Sequence, residues 1–346
     1  MNWATQWPLA ATLTLFGGSA LVILLAGYRL TRLADQLADL SGLGEAVFGA
    51  ALLGGSTSLP GIITSVSAAA GGYPELAVSN AVGGIAAQTA FLALADMAYR
   101  RSNLEHAAAS VENLVNSAML CGLLGLVLLA TSGPQWEWFA VNPISLLILL
   151  AYMFGLKIAA GTHEHPAWYP KQTRETRGDE PEEETLDNKN PGRLWARFAG
   201  LAAIIGTAGY LVAVTGIALV KATGLSETVV GGLFTAIATS LPELVTSIAA
   251  VRQGALTLAV GGIIGGNTFD VLFIAFSDIA YREGSIYHAI STQPRFVISL
   301  TIVLTSVLLI GLVRRELSGP GNIGFEGILV LTLYLGGFLV LTLGFT

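Results

Sequence analysis

The chain carries little charge, and little of that charge is basic. Only 12% of its 346 residues are Asp, Glu, Lys or Arg, about half the share of a soluble globular domain. Seventeen Lys and Arg stand against 23 Asp and Glu, a formal net charge of −6. With no basic surplus there is no surface for a phosphate backbone, and nucleic acid is excluded as a partner. A single cysteine, Cys121, excludes an intramolecular disulfide framework and a cysteine-rich zinc site. What is abundant is apolar: 53% of residues are hydrophobic and the mean hydropathy is +0.68. Glycine, at 41 residues, is the other surplus, and glycine in an apolar chain lets helices pack closely in lipid. The composition is that of a polytopic membrane protein, with lipid as its main partner and no protein partner evident.

A spanning helix needs about 20 apolar residues. Ten runs qualify: 8–28, 44–70, 74–99, 107–131, 138–160, 195–220, 226–251, 255–280, 290–313 and 323–345. No Lys or Arg precedes the first run, so it reads as a span and not as a signal peptide. With the N-terminus outside, 14 of the 17 Lys and Arg fall on the inner side and three, Lys221, Arg282 and Arg295, on the outer. The expected protein therefore lies in the bacterial inner (cell) membrane with both termini outside. Residues 1–160 form one five-helix half, 193–346 the other, and 161–192 an acidic inner linker. The linker holds Glu180, Glu182, Glu183, Glu184 and Asp187 and reads as a solvated connection, with a regulatory cation site as the alternative. His163 and His165 lie there too; an isolated pair in such a loop is a weak metal signal, and no site is expected.

Slid along itself, the chain finds a second copy of one of its own segments. Residues 42–106 align with 224–288 without a gap, with 25 identities in 65 positions. Thr57-Ser58-Leu59-Pro60 meets Thr239-Ser240-Leu241-Pro242, and Asp96, Tyr99 and Arg100 meet Asp278, Tyr281 and Arg282. Five spans separate the copies, and an odd number turns the second upside down: an inverted repeat, a common plan of secondary transporters. Each copy is a hairpin whose first helix contains a proline near mid-membrane. Pro60 and Pro242 donate nothing to the carbonyls of Ser56 and Ala238. Those carbonyls need another partner in hydrocarbon, a hydroxyl or a bound cation. The expected fold is thus all-α, ten transmembrane helices in two inverted five-helix repeats with proline-broken helices at the midplane.

Glu243 follows Pro242, and Asp270 lies on the adjoining helix at similar depth. A charge at the bilayer centre costs at least about 2.5–3.5 kcal/mol, and two carboxylates at one depth repel unless a proton or a cation joins them. Hard oxygen ligands suit Ca²⁺ or Na⁺; the plain alternative is a pair of protonated structural acids. Their counterparts in the first copy are Gly61 and Gln88, which makes the site lopsided. Glu112, Asn113 and Asn116 form a polar patch in the fourth span that lines a cavity, relays protons or bonds between helices. Asp96 and Asp278 read as structural, each paired with the arginine four positions on, Arg100 and Arg282. Cys121, among leucines, reads as core. With no His or Lys base at midplane depth, an intramembrane serine hydrolase is set aside, and the chain is read as no enzyme.

At T-S-L-P-E-L-V-T-S, followed by L-A-V-G-G-I-I-G-G-N-T-F-D, the sequence resembles the membrane region of sodium/calcium exchangers, and looks like a prokaryotic member of the cation/calcium antiporter superfamily. The resemblance spans both repeats. It implies that Glu243 and Asp270 are ion ligands, that Thr57, Ser58, Thr239 and Ser240 contribute hydroxyl or carbonyl oxygens, and that Gln88 stands where an Asn or Asp ligand is usual. Asn80 matches the first repeat's asparagine. Gly61 replaces a family glutamate, and Gly266 a serine. The implied function is secondary antiport, Ca²⁺ exchanged against Na⁺ or H⁺ by alternating access, with no cofactor beyond the transported cations. A monovalent cation/proton antiporter and a non-transporting cation sensor are the alternatives.

Overall fold

The computed structural model describes residues 7–41, 50–99, 102–108, 110–164, 171, 191–319 and 323–344. Among them the regular structure is helical, apart from one isolated bridge between Trp138 and Val141. The first half comprises α1 (Leu9–Ser41), α2 (Ala50–Thr57), α3 (Leu59–Ala70), α4 (Pro74–Ala98), the short α5 (Leu104–Ala107), α6 (Val111–Ser132) and α7 (Pro143–Glu164). The second comprises α8 (Pro191–Thr223), α9 (Glu227–Val229), a π-helical turn (Val230–Thr235), α10 (Ala236–Thr239), α11 (Leu241–Gln253), α12 (Leu256–Asp270), α13 (Leu272–Ala280), the short α14 (Ile286–Ala289), α15 (Thr292–Arg314) and α16 (Phe325–Leu343).

Eight helices among the described residues are long and apolar enough to cross a membrane; taking the bent pair Glu227–Thr239 and Leu241–Gln253 as one span makes nine. The expected span 44–70 is met by α2 and the short apolar α3, with residues 44–49 outside the described part. The linker acids, His165 and Arg100 also lie outside the described residues. Leu13, Leu25, Leu129, Leu335 and Leu339 are exposed, as side chains facing lipid would be. The helix α4 is buried continuously over residues 76–93 and forms the centre of the molecule.

Small residues make that burial compatible with close packing. At Gly83 of α4, an added Cβ would run into the backbone of Gly232 in the π-helical turn. At Gly231 an added Cβ would stand 2.7 Å from the Leu76 carbonyl oxygen. The two repeats therefore touch backbone to backbone.

Two helices depart furthest from the expected limits. α1 continues to Ser41, because its apolar run is followed by good helix formers and not by a breaker. α7 starts at Pro143, not 138: Phe139 and Ala140 take φ of 55° and 66° in a tight reversal closed by Trp138 and Val141, and proline at the first helical position sets the start.

The Asp278–Arg282 pair does not form. Asp278 is fully buried and accepts from the Asn142 N–H (2.8 Å), the Ser145 hydroxyl (2.6 Å) and the Ile286 N–H (2.9 Å). Arg282 lies beyond the helix end and donates instead to the Phe139 carbonyl at 2.9 Å. Burial explains the switch: an inward carboxylate takes nearby backbone donors, and an exposed guanidinium stays in water. Asp96 does the same in the first repeat, accepting from Leu104 N–H (2.6 Å) and Gly324 N–H (3.0 Å). Leu104 and Ile286 are themselves repeat equivalents, so each aspartate receives the first amide of the short helix that follows; the expected Asp96–Arg100 pair lies outside the described residues with Arg100.

Candidate cation site

Both hairpin helices break where the prolines stand. α2 ends at Thr57 and α3 begins at Leu59, with Ser58 between them at φ −80°, ψ −7°. α10 ends at Thr239 and α11 begins at Leu241, with Ser240 at φ −96°, ψ 7°, and the axis bends by 46°. Each break is seated on a glycine of the opposite half. A Cβ at Gly27 of α1 would lie 2.6 Å from Pro242 Cγ, and one at Gly209 of α8 would lie 2.8 Å from the Pro60 carbonyl oxygen. Gly27 and Gly209 are separated by the same offset as the two repeats, and neither was flagged by sequence reading.

The structure brings four of the expected residues into direct contact. Ser58 Oγ donates to Asp270 Oδ1 at 2.5 Å. Gln88 Nε2 donates to Asp270 Oδ2 at 2.7 Å and to Ser240 Oγ at 3.2 Å. Ser58 with Ser240, and Gln88 with Asp270, are repeat equivalents, so the hydrogen-bonded chain Ser58–Asp270–Gln88–Ser240 straddles the relation between the two copies. Glu243 lines the same small pocket and is buried. Its Oε2 and the Gln88 Oε1 are buried with no hydrogen-bond partner, which leaves two oxygens free to meet a cation or a proton.

The other expected residues are placed differently. Thr239 lines the pocket, but its hydroxyl donates back to the Thr235 and Ala236 carbonyls at 3.0 and 3.2 Å. Thr57 donates to the Gly54 carbonyl at 3.0 Å, and it lies against the Glu243 side chain where both line a larger cavity. Asn80 is fully committed inside the protein: its amide donates to the Gly61 carbonyl (3.3 Å) and Ser65 Oγ (2.9 Å) and accepts from Thr235 Oγ1 (2.7 Å). It ties α3, α4 and the π-helical turn together at the pocket's edge.

The larger cavity, about 460 Å³, reaches Glu243 from the end of the molecule that carries Arg32 and Ala160. Glu112 and Asn116 line it, while Asn113 turns away and donates to the Ala108 carbonyl at 3.0 Å. Cys121 is only half-buried, 3.8 Å from Ser306 Oγ. Sequence reading missed the aromatic wall. Phe273 lines the small pocket, packs edge-to-face on Phe269 (6.3 Å), and Phe269 packs on Tyr152 (5.8 Å) at the cavity. Among the described residues no group of three or more Asp, Glu, His or Cys is arranged to hold a metal ion. An ion here would be held by two carboxylates and neutral oxygens, a hard donor set.

Helices broken at mid-membrane beside buried polar groups are a common plan of secondary transporters. The sequence profile described as "Sodium/calcium exchanger protein" matches residues 11–159 and 193–343. The chain belongs to that family, and it is an integral membrane protein of the exchanger class. It is 29% identical over 266 residues to the inner membrane protein YrbG of Escherichia coli, covering 77% of this chain and 78% of that one. It is 26% identical over 321 residues to the putative antiporter CaxA of Alkalimonas amylolytica, covering 89% and 92%. The crystal structure of the H⁺/Ca²⁺ exchanger CAX superposes with a TM-score of 0.64 at 14% identity, covering 95% of this chain and 81% of that one.

Proposed function

We propose that the chain exchanges Ca²⁺ against Na⁺ or H⁺ by alternating access, with Glu243 and Asp270 as the charged ligands and Ser58, Ser240 and Gln88 as neutral ones. The observation that carries this reading is the unpartnered Glu243 Oε2, buried at the inner end of a cavity that reaches it from one side. Ca²⁺ and the counter-ion would compete for the same two carboxylates, and exclusive occupancy would couple their fluxes. The relatives' names, an antiporter and an H⁺/Ca²⁺ exchanger, favour the same class. The deciding measurement is ⁴⁵Ca²⁺ uptake into proteoliposomes under imposed Na⁺ or pH gradients. We expect gradient-driven uptake that excess unlabelled Ca²⁺ abolishes; no uptake under either gradient would reject the reading. One observation favours a second reading, monovalent cation/proton antiport: the position equivalent to Glu243 is Gly61, so the site has one acid fewer than a symmetric pair would give.

We also propose ten spans in two inverted halves, in a bacterial inner membrane, with both termini outside. In that orientation the cavity below Glu243 opens to the inside. Cysteines at Ala70 and Gln253, both exposed beside the hairpin turns, should label from opposite sides of the membrane in a Cys121→Ala background. The adjacent Gly72 and Gly254 are unsuitable, because their φ of 81° and 89° would strain a side chain. Labelling from one side would remove the inverted arrangement.

A further inference from the structure

We propose that Glu105 and Glu326 form a proton-binding site apart from the cation pocket: one proton shared between their carboxyls fastens the Asp96 end of α4, and its loss at alkaline pH slows exchange. The effect on exchange rests on the antiporter reading; the proton site does not. The two acids are 1% and 0% exposed. As carboxylates, Glu105 Oε2 and both oxygens of Glu326 receive no hydrogen bond from another residue. What they face is each other: the two side chains lie within hydrogen-bond reach, with Asp96 close by. Two buried negative charges in contact repel, and one proton between them removes the repulsion and makes the missing bond. A larger cation fits poorly. Glu326 packs so closely on Gly311 of α15 and on Gly324 that a methyl group at either glycine would overlap it. Arg314, at the end of α15, and Glu316 act on Glu326 with opposite signs; Arg314 stacks over the Phe325 ring at 4.6 Å, and Glu316 accepts the Phe325 N–H at 3.2 Å. The His106 ring meets the Arg315 carbonyl at 2.7 Å, and the Arg315 guanidinium donates to the His106 and Lys171 carbonyls. α12, also packed on α5, has Asp270 of the cation pocket as its one charged residue. Arg101 lies outside the described residues with Arg100. Burial first, then the charges of Asp96 and Glu326, hold the Glu105 carboxyl well above the ordinary carboxylate range.

The equivalent joint in the second repeat is built without these acids. Asp96 accepts the N–H groups of Leu104 and Gly324, and Asp278 those of Ile286 and Asn142; the two donor pairs are related by the repeat offset. At the positions of Glu105 and Glu326 the second joint carries Tyr287 and Ile144. There a neutral relay closes it: the Tyr287 hydroxyl meets Ser145 Oγ at 2.8 Å, and Ser145 donates to Asp278 at 2.6 Å. One scaffold is thus closed by hydroxyls in one repeat and by a pair of acids in the other, and of the two sets only the acids ionise near neutral pH. When the shared proton leaves, the two carboxylates repel and part α5 from the start of α16. Those segments supply both donors of Asp96, so the end of α4 is released with them, and α4 carries Asn80 and Gln88.

The proton is tested by reversible unfolding of the full chain in mixed detergent micelles, followed against pH. A folded state that keeps a proton the unfolded chain has lost becomes less stable as pH rises, and one such proton raises the unfolding constant about tenfold per pH unit. Glu105→Gln and Glu326→Gln each put a neutral amide in place of a carboxyl. Each should respond less steeply than the wild type by about that factor, and the double variant should respond like either one. An unchanged slope in either single variant, or a further flattening in the double variant, would overturn the shared proton. A wild type no less stable at alkaline than at neutral pH would overturn it without any variant. The effect on exchange is read as ⁴⁵Ca²⁺/Ca²⁺ self-exchange in proteoliposomes at equal pH on both sides. Weaker proton competition in the cation pocket raises exchange as pH rises; release of α4 lowers it. We expect exchange to fall toward background in the wild type and not in Glu105→Gln. The same response in both would overturn the effect on exchange. No self-exchange at any pH would overturn that effect and the antiporter reading together, while the proton site stands or falls by its unfolding slope.

Discussion

Replacing Glu243 by glutamine is expected to abolish cation exchange with the fold intact. The substitution keeps the shape of the side chain and removes its charge. Glu243 lies in a pocket with one carboxylate oxygen unpartnered, whereas both oxygens of Asp270 already accept hydrogen bonds from Ser58 and Gln88. Glu243 is therefore the acid with the most to give to an ion. Loss of one charged partner from a buried contact weakens it by about 2–5 kcal/mol, which corresponds to at least about a 30-fold loss of affinity. Exchange measured in proteoliposomes should fall to background, while the elution profile in detergent matches the wild type. Wild-type flux in Glu243→Gln would remove Glu243 from the site.

The largest expected effect on stability is at Gly83. Substitution by alanine places a methyl group against the Gly232 backbone, and a backbone cannot rotate away as a side chain would. Overpacking typically costs about 1–3 kcal/mol, and a contact with main chain belongs at the upper end. Here the clash also pries apart the two repeats at the centre of the molecule, where α4 is fully buried. Gly122→Ala is the matched control: nothing lies within 4 Å of its added Cβ, and alanine is the better helix former by roughly 1 kcal/mol. Thermal unfolding in detergent should show a clear drop for Gly83→Ala and none for Gly122→Ala. Equal midpoints would mean that the helices do not approach as closely as described.

Several features were readable from one dimension because they are properties of composition or spacing. Low charge and high hydropathy set the membrane class. The self-match of 42–106 with 224–288 exposed the two hairpins, and Pro60 and Pro242 marked the helix breaks, since proline lacks the donor wherever it sits in a helix. Glu243 and Asp270 stood out because an acid within an apolar run is costly enough to need a reason. What tertiary structure alone decided are contacts between residues far apart in the chain. Ser58 reaches Asp270 across 212 residues. Asp278 takes its donors from Asn142, Ser145 and Ile286, so its expected partner Arg282, one helical turn away, proved the wrong one. Nothing in the sequence marks Gly27 and Gly209 as seats for the two prolines, or Phe273 as the group above Gly61. A glycine in sequence is a missing side chain, and only the packed neighbours determine whether the space it leaves stays open to an ion or is filled by a phenylalanine ring.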